Sequence, residues 1–259
     1  DPEIGYIEES GTKNNLQFRR SVGKSYYNLQ TYKYAGIDQN SGLALYYHKV
    51  TAADHSSGRF TDIPVGGDVT TTDYTLASTY DMGDALPKLT GGFGTSFRYK
   101  NLDFSAQFAF QIGGKFFSNE YGDNHYWHQN VLGAQVSSDL WNNTWTPDNR
   151  DAQFPMQMAG QSVYTTGTTV SSERFTDKTL YDASYLSFKN LTIGYSLPDR
   201  LMKKWGMGGI RFYVSGDNIA LLSAKHGVDP RMDMIGGFDV GAMIYPAMRT
   251  WSLGVNVTF

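Results

Sequence analysis

Three tryptophans and two histidines in one stretch carry the side chains that a ligand would use most readily. Trp127, Trp141 and Trp145 stand in the connection 113–181, with Tyr126 beside the first. Indole faces stack on sugars and on peptide, and the same rings bury the apolar area that orders a long loop. These three are the candidate substrate-contacting residues, with both roles open for each. His125 and His128 sit three apart, a step at which two imidazoles on a helix would share a metal. No carboxylate lies at a matching helical step. A loop pair without metal is therefore the expectation, and no cofactor is expected.

Asp38-Gln39-Asn40-Ser41-Gly42 opens like a calcium loop. An EF-hand needs an oxygen ligand at its fifth position, Gly at its sixth and Glu at its twelfth. Gly42, Leu43 and Lys49 stand there instead, so a Gly-containing turn is expected. Enzyme signatures are equally thin. Gly-x-Ser-x-Gly and the P-loop are absent, and Gly92-Phe93-Gly94 is followed by Phe97 where a dinucleotide fingerprint requires Gly. Glu is scarce, and Asp falls mainly in loops and turns. No catalytic residue is assigned, and the expectation is not an enzyme.

The 259 residues suffice for one large all-β domain or two ordinary ones, and the formal charge of -3 argues against nucleic acid, which needs a basic face. The absence of cysteine removes disulfides and thiolate chemistry. Charged residues make up 18%, below the level usual in soluble domains, while Gly, Tyr and Phe are plentiful. No apolar run approaches a transmembrane helix, and the mean hydropathy is -0.42. Barrel strands alternate and average to such a value, so a membrane is not excluded. The chain opens Asp1-Pro2-Glu3 without a basic or apolar leader, as expected if a signal was removed or if the chain begins inside a longer protein.

A period of two marks the elements. From Thr250 to Phe259 every odd position is apolar and every even one small or polar, which makes a strand with one greasy face. Trp251, Leu253, Val255 and Val257 would face lipid, while Ser252, Gly254, Asn256 and Thr258 would face a wet lumen. The hairpin around Lys100-Asn101 alternates in the same way and places Phe104, Phe108 and Phe110 on the lipid side. Between Ala183 and Leu197 the apolar phase shifts from even to odd positions, which predicts a β-bulge near Lys189-Asn190. Six strands are expected, near 25–35, 91–99, 102–112, 183–197, 208–219 and 249–259. Residues 51–88, without periodicity, read as a long loop, and PDRLMKKWGMGG as a short basic turn. The rival reading of this alternation is a secreted β-sandwich that binds glycans through its aromatics.

The segment from Asp182 onward reads DASYLSFKNLTIGYSLPDR, then SGDN, GVDP, YP and RTWSLGVNVTF, and upstream stand PKLTGGFGTSFRYKNLDFSAQFAFQIGGK and WTPDN. In order and spacing these resemble the C-terminal end of the SusC/RagA family of TonB-dependent outer-membrane transporters of the Bacteroidota. The resemblance implies an all-β fold, the C-terminal part of an antiparallel transmembrane barrel of about 22 strands, with long extracellular loops and short periplasmic turns. It further implies nutrient import, of oligosaccharide or peptide, energised by TonB and shared with a SusD-like surface lipoprotein that lids the barrel. The plug domain and TonB box are not expected in this chain, which would supply wall and loops. The partners implied are that lipoprotein, TonB through the missing N-terminal part, the barrel-assembly machinery and outer-membrane lipid. Phe259, the terminal aromatic, is the expected assembly signal. Six strands cannot close alone, because open edges expose backbone groups that lipid does not tolerate.

Two outcomes follow from this facing. Phe108→Arg should cost about 2–4 kcal/mol with Phe108 at mid-bilayer, and Gln107→Arg should be mild; equal tolerance in an assembly assay would contradict the assignment. Removal of Phe259 should impair insertion, and normal surface levels of the truncated protein would refute that role.

Overall fold

The structure is a computed structural model that describes residues 3–8, 17–21, 23–117, 138–156, 176–232 and 247–259. In chain order its strands are β1 (Glu3–Glu8), β2 (Gln17–Ser21), β3 (Asn28–Tyr32), β4 (Tyr34–Ile37), β5 (Ala44–Lys49), β6 (Asp68–Thr71), β7 (Thr79–Asp84), β8 (Leu89–Tyr99), β9 (Leu102–Ile112), β10 (Lys115–Phe117), β11 (Leu180–Asp182), β12 (Tyr185–Ser196), β13 (Gly209–Ser223) and β14 (Thr250–Thr258). Helix α1 spans Ala52–Ser56 and α2 spans Asp199–Trp205. Two compact units emerge, one within residues 3–85 and 115–181, the other within 86–114, 182–232 and 247–259.

The second unit is a five-stranded antiparallel sheet in the order β14-β13-β12-β9-β8. It contains five of the six expected strands, with the hairpin β8–β9 turning at Lys100, whose φ is 54°. The pleat alternates as the sequence requires, and register carries the alternation from strand to strand. Phe97, Phe104, Ile193, Val214 and Leu253 form one cross-strand row, and Tyr99, Leu102, Tyr195, Phe212 and Val255 another. A pleated strand keeps this arrangement only while its register holds, since a slip of one residue turns every side chain over. The shift occurs once in β12, between Phe188 and Asn190, and it leaves exposed Lys189 as the extra residue. That is the expected bulge. Its neighbour β13 accommodates it with Asn218 and Ile219 opposite Lys189, and Asn218 takes the left-handed conformation at φ 52°.

The apolar face is bare. Phe93, Phe97, Trp251 and Leu253 are exposed, Leu253 by 81%. Rings stack along it across three strands, Phe93 on Phe108 at 4.9 Å and Phe108 on Phe188 at 4.5 Å. Among its described residues this unit contains one sheet, without the second layer that a sandwich would need.

The first unit holds a four-stranded sheet β1-β2-β3-β7, a three-stranded sheet β4-β5-β6 and the pair β10–β11. Here the sequence reading needs correction. The strand expected at 25–35 is instead β3 and β4, which belong to different sheets. Alternation misled because β3 is buried on both sides: Asn28, Leu29, Gln30 and Thr31 are all inside, so its polar residues face no water-filled lumen. The register of β4 against β5 shifts between Tyr34 and Gly36, and Gly36 takes φ 111°. Residues 51–88 are no bare loop either, since they carry α1, β6 and β7. Thr51 caps α1 through a reciprocal box with Asp54, a local signal without any long periodicity.

Small clusters of tyrosine and leucine form the interior of this unit. Tyr46 and Ala44 pack with Tyr74 and the partly buried Tyr32 and Tyr34, and Leu29 packs with Ala85 and Phe117. His48 Nε2 lies 2.9 Å from Asp54 Oδ2, and its Nδ1 lies 3.3 Å from Ser78 Oγ. Ser78 Oγ also accepts the Lys49 N–H at 2.9 Å, and Arg59 reaches Asp54 at 3.2 Å. This chain of bonds ties β5 to α1 and to the segment before β7. Hydrogen bonds from the Thr51 hydroxyl and backbone N–H hold the Asp54 carboxyl well below the usual carboxylate range.

The turn Asp38–Gly42 is a plain Gly turn, with Gly42 N–H donating to Asp38 O at 2.8 Å. Gly42 is required twice over: its φ is +73°, and a Cβ would overlap the ring of Trp145. Gly42→Ala should therefore destabilise the segment 138–156 by at least about 2 kcal/mol, from left-handed strain plus the overlap. Limited proteolysis of the folded full-length protein checks this: faster cleavage within 138–156 is expected, and an unchanged pattern would contradict it.

Candidate functional site: the polar face and its border loop

The polar face of the five-stranded sheet is ordered by rows. Ser96, Ser105, Thr192, Ser215 and Ser252 stand opposite one another in sequence, so that one hydroxyl comes from every strand. The next row is Gly94, Gln107, Asn190, Asp217 and Thr250, within which Asn190 donates to Asp217 at 2.7 Å. Neither row presents an apolar side chain larger than the Thr methyl group. Such a surface offers hydrogen bonds to water or to a polar solute along its whole width.

Charge enters nearer the β8–β9 turn. Arg211 donates through Nε to Asp103 at 3.0 Å and makes a second bond through Nη2, from β13 to β9 across the intervening β12. The guanidinium lies where a Cβ on Gly194 would stand. Tyr213 lies over Gly254 in the same manner, with Arg211 5.2 Å from its ring centroid. Both glycines have ordinary backbone angles, and what they supply is room. Arg211 and Tyr213 thus reach across the sheet in the room those glycines leave.

At the other end of β13 a loop folds back over the polar face. Arg231 forks onto Asp229, Nε to Oδ1 at 2.8 Å, and its Nη1 donates to Ser187 Oγ at 2.9 Å and to Asn218 Oδ1 at 2.8 Å. Asn218, opposite the bulge, donates in turn to Ala247 O at 2.7 Å. The ion pair is largely buried, with side chains 12% and 15% exposed. Burial pushes the Asp229 carboxyl up, yet the Arg231 hydrogen bonds and charge outweigh it and hold the group below its ordinary value. Beside this clamp opens a cavity of about 410 Å3 whose polar lining includes Asn218, Ser223, His226 and Arg249.

The aromatics proposed from sequence divide sharply. Trp145 is 8% exposed, packs on Gly42 and donates its indole N–H to Gln39 O at 3.3 Å. Its ring is used in holding the loop together. Trp141 is 79% exposed. It is carried on a closely bonded segment in which Asn142 is left-handed, Asn149 Nδ2 donates to Asn142 O at 2.9 Å and Thr144 Oγ1 donates to Leu140 O at 3.0 Å. Lys178 pins the same segment, its ammonium lying 4.5 Å from the Tyr34 ring centroid and 4.3 Å from that of Phe154 while donating to Gln153 O. Trp127, His125 and His128 lie outside the described residues. Phe104, Phe108, Phe110, Trp251, Leu253, Val255 and Val257 share the apolar face, and Phe259 is 93% exposed. Among the described residues no three His, Asp or Glu side chains gather as a metal set. The sequence reading missed the Asp229–Arg231 clamp. Gly227-Val228-Asp229-Pro230 was visible as a loop motif, but nothing in it revealed the partners Ser187 and Asn218.

No protein-family model matches the chain. Among known proteins it is 29% identical to TonB-dependent receptor P3 of Formosa agariphila over 88% of this chain and 22% of the receptor. It is 32% identical to TonB-dependent receptor P26 of the same organism over 69% of this chain and 18% of that receptor. TonB-dependent receptor SusC of Bacteroides thetaiotaomicron is 29% identical over 68% of this chain and 15% of its own length. A solved structure of the RagAB peptide importer in the closed-closed state superposes with a TM-score of 0.71 at 26% identity, covering 98% of this chain and 25% of that one. The chain thus spans under a quarter of the length of these relatives. RagA/SusC proteins are transporters, not enzymes, and the antiparallel sheet described above matches part of their barrel. In sequence and in structure, the chain is homologous to a portion of the RagA/SusC TonB-dependent outer-membrane transporters.

Proposed function

We propose that this chain forms part of the wall and outer loops of an outer-membrane barrel that imports oligosaccharide or peptide with energy delivered by TonB. The observation that carries this reading is the two-faced sheet: five strands in continuous register, bare and apolar on one side, hydroxyl- and amide-lined on the other. Water does not tolerate so large an uncovered apolar face, whereas lipid does. The open edges of β8 and β14 pair with further strands of the full-length protein, which closes the barrel and satisfies their backbone groups. Phe104, Phe108, Phe110, Trp251, Leu253, Val255 and Val257 then meet lipid, and the hydroxyl row lines the lumen. Phe259 serves the barrel-assembly machinery as a terminal signal.

Short turns lie at the periplasmic end and long connections outside. The Asp229–Arg231 clamp therefore stands at the outer mouth, where a SusD-like lipoprotein lids the barrel. Trp141, rigidly held and exposed, is the loop aromatic that contacts substrate, while Trp145 supports it from within. TonB acts through the N-terminal parts of the full-length protein, outside this sheet.

Uptake of labelled oligosaccharides or peptides by the source organism tests the reading. Deletion of the gene for the full-length protein should abolish uptake of one class, and so should loss of TonB; unchanged uptake of both classes would contradict it. In the same assay Trp141→Ala should weaken half-saturation roughly tenfold, the scale of a lost aromatic anchor, with surface levels unchanged. Arg231→Ala, which strands buried Asp229, should raise protease cleavage near residue 230. Because the carboxyl of Asp229 is depressed, the clamp's contribution is full above the ordinary aspartate range and falls only as pH drops below it. Cleavage near residue 230 that rises already between pH 7 and pH 6 would contradict this assignment.

A further inference from the structure

The seven residues of α2 are read from sequence as a plain turn, yet they fold into a helix with segregated faces. Pro198 precedes it, Asp199 occupies its first turn, Lys203 and Lys204 its last, and Gly206 ends it in the left-handed conformation at φ 68°. At 3.6 residues per turn, Leu201, Met202 and Trp205 fall on one arc and Arg200, Lys203 and Lys204 on the opposite one. Met202 is buried, but Leu201 is 39% and Trp205 54% exposed. A helix within a protein core would hide those two.

The surroundings repeat the pattern. Asn101, in the β8–β9 turn, donates through Nδ2 to Ser196 O at 2.7 Å and accepts the Ser196 N–H at 2.8 Å. This bond pair fixes that turn beside the end of β12, from which α2 departs. Tyr99 and Tyr195, both exposed, end the apolar face at this level, and Lys100 Nζ sits 5.3 Å from the Tyr99 ring centroid. Aromatics at the limit of an apolar band, with a cationic arc just beyond, match the boundary between acyl chains and phosphates. Among the charged residues of α2 three are cations and one is an anion.

Resting on the barrel reading above, the geometry points to α2 as a binding site for anionic phospholipid of the inner leaflet: Leu201 and Trp205 enter the acyl region while Arg200, Lys203 and Lys204 take headgroup phosphates. Charge complementarity selects this occupant, since a zwitterionic headgroup offers no net charge to three cations on one arc.

The test uses the full-length protein in nanodiscs of equal phosphatidylethanolamine and phosphatidylglycerol, with lipids that remain bound after detergent transfer counted by native mass spectrometry. The wild type should retain phosphatidylglycerol preferentially. R200Q/K203Q/K204Q should lose the preference, roughly fivefold for each cation removed, on the about 1 kcal/mol that a basic residue contributes near an anionic surface. R200K/K203R/K204R, which keeps the charge, should restore it. Equal retention by the glutamine variant and the wild type, or no preference in the wild type, would overturn the assignment. Heat-modifiable migration in gels separates the two levels of the argument. A folded barrel with no lipid preference removes only the α2 site, whereas a chain that never forms a heat-resistant band removes the barrel reading and the site with it.

Discussion

The rest of the structure depends on the continuity of register across five strands. A pleated strand presents alternate residues to opposite faces, and one misplaced residue exchanges them. Here the ladders carry the apolar rows of Phe97 and Tyr99 and the polar rows of Ser96 and Gly94 from β8 through β14 without exchanging faces. The apolar phase of β12 changes midway, so a regular strand would have turned Leu186 and Phe188 toward the polar side. Leaving Lys189 unpaired preserves both faces, and Asn218 on β13 absorbs the resulting kink in a conformation that asparagine tolerates. The same asparagine then holds Arg231 and the backbone of Ala247. A correction to strand register has thus become the anchor of the border loop.

Room on the polar face is a second consequence of residue placement. Gly194 and Gly254 sit beneath Arg211 and Tyr213, and any side chain there would lift both away from the sheet. Stacked phenylalanines dominate the opposite face, where their rings strengthen cross-strand pairing. A barrel wall of the kind proposed needs no reacting group, only a polar face that offers water and polar solute many hydrogen bonds.

The sheet was legible in sequence because its determinants are local: a period of two, a tight turn at Lys100-Asn101, and a phase change that only a bulge reconciles. Segment 25–35 was misread because alternation says nothing about what each face meets, and β3 buries Asn28 and Gln30 along with Leu29. Helix α2 was hidden by its shortness, although Gly206 and the two lysines before it are ordinary stop signals. Loop aromatics showed the limit of composition most clearly. Trp141 and Trp145 stand four apart in one loop, yet Trp145 is buried against the left-handed turn at Gly42 while Trp141 is exposed. The Asp229–Arg231 clamp depends on Ser187, 44 residues from Arg231 in sequence, which no local pattern announces.

The most direct measurement is the facing of Ser252 and Leu253, adjacent residues on the last strand. This chain contains no cysteine, so single Ser252→Cys and Leu253→Cys substitutions in the full-length protein, with any other thiols removed, give two clean reporters. The account predicts that a charged, water-soluble maleimide labels position 252 in intact outer membranes, while position 253 resists it and reacts only with a lipid-soluble maleimide. Labelling of both positions by the charged reagent, at similar rates, would show that both faces meet water and would contradict a barrel wall.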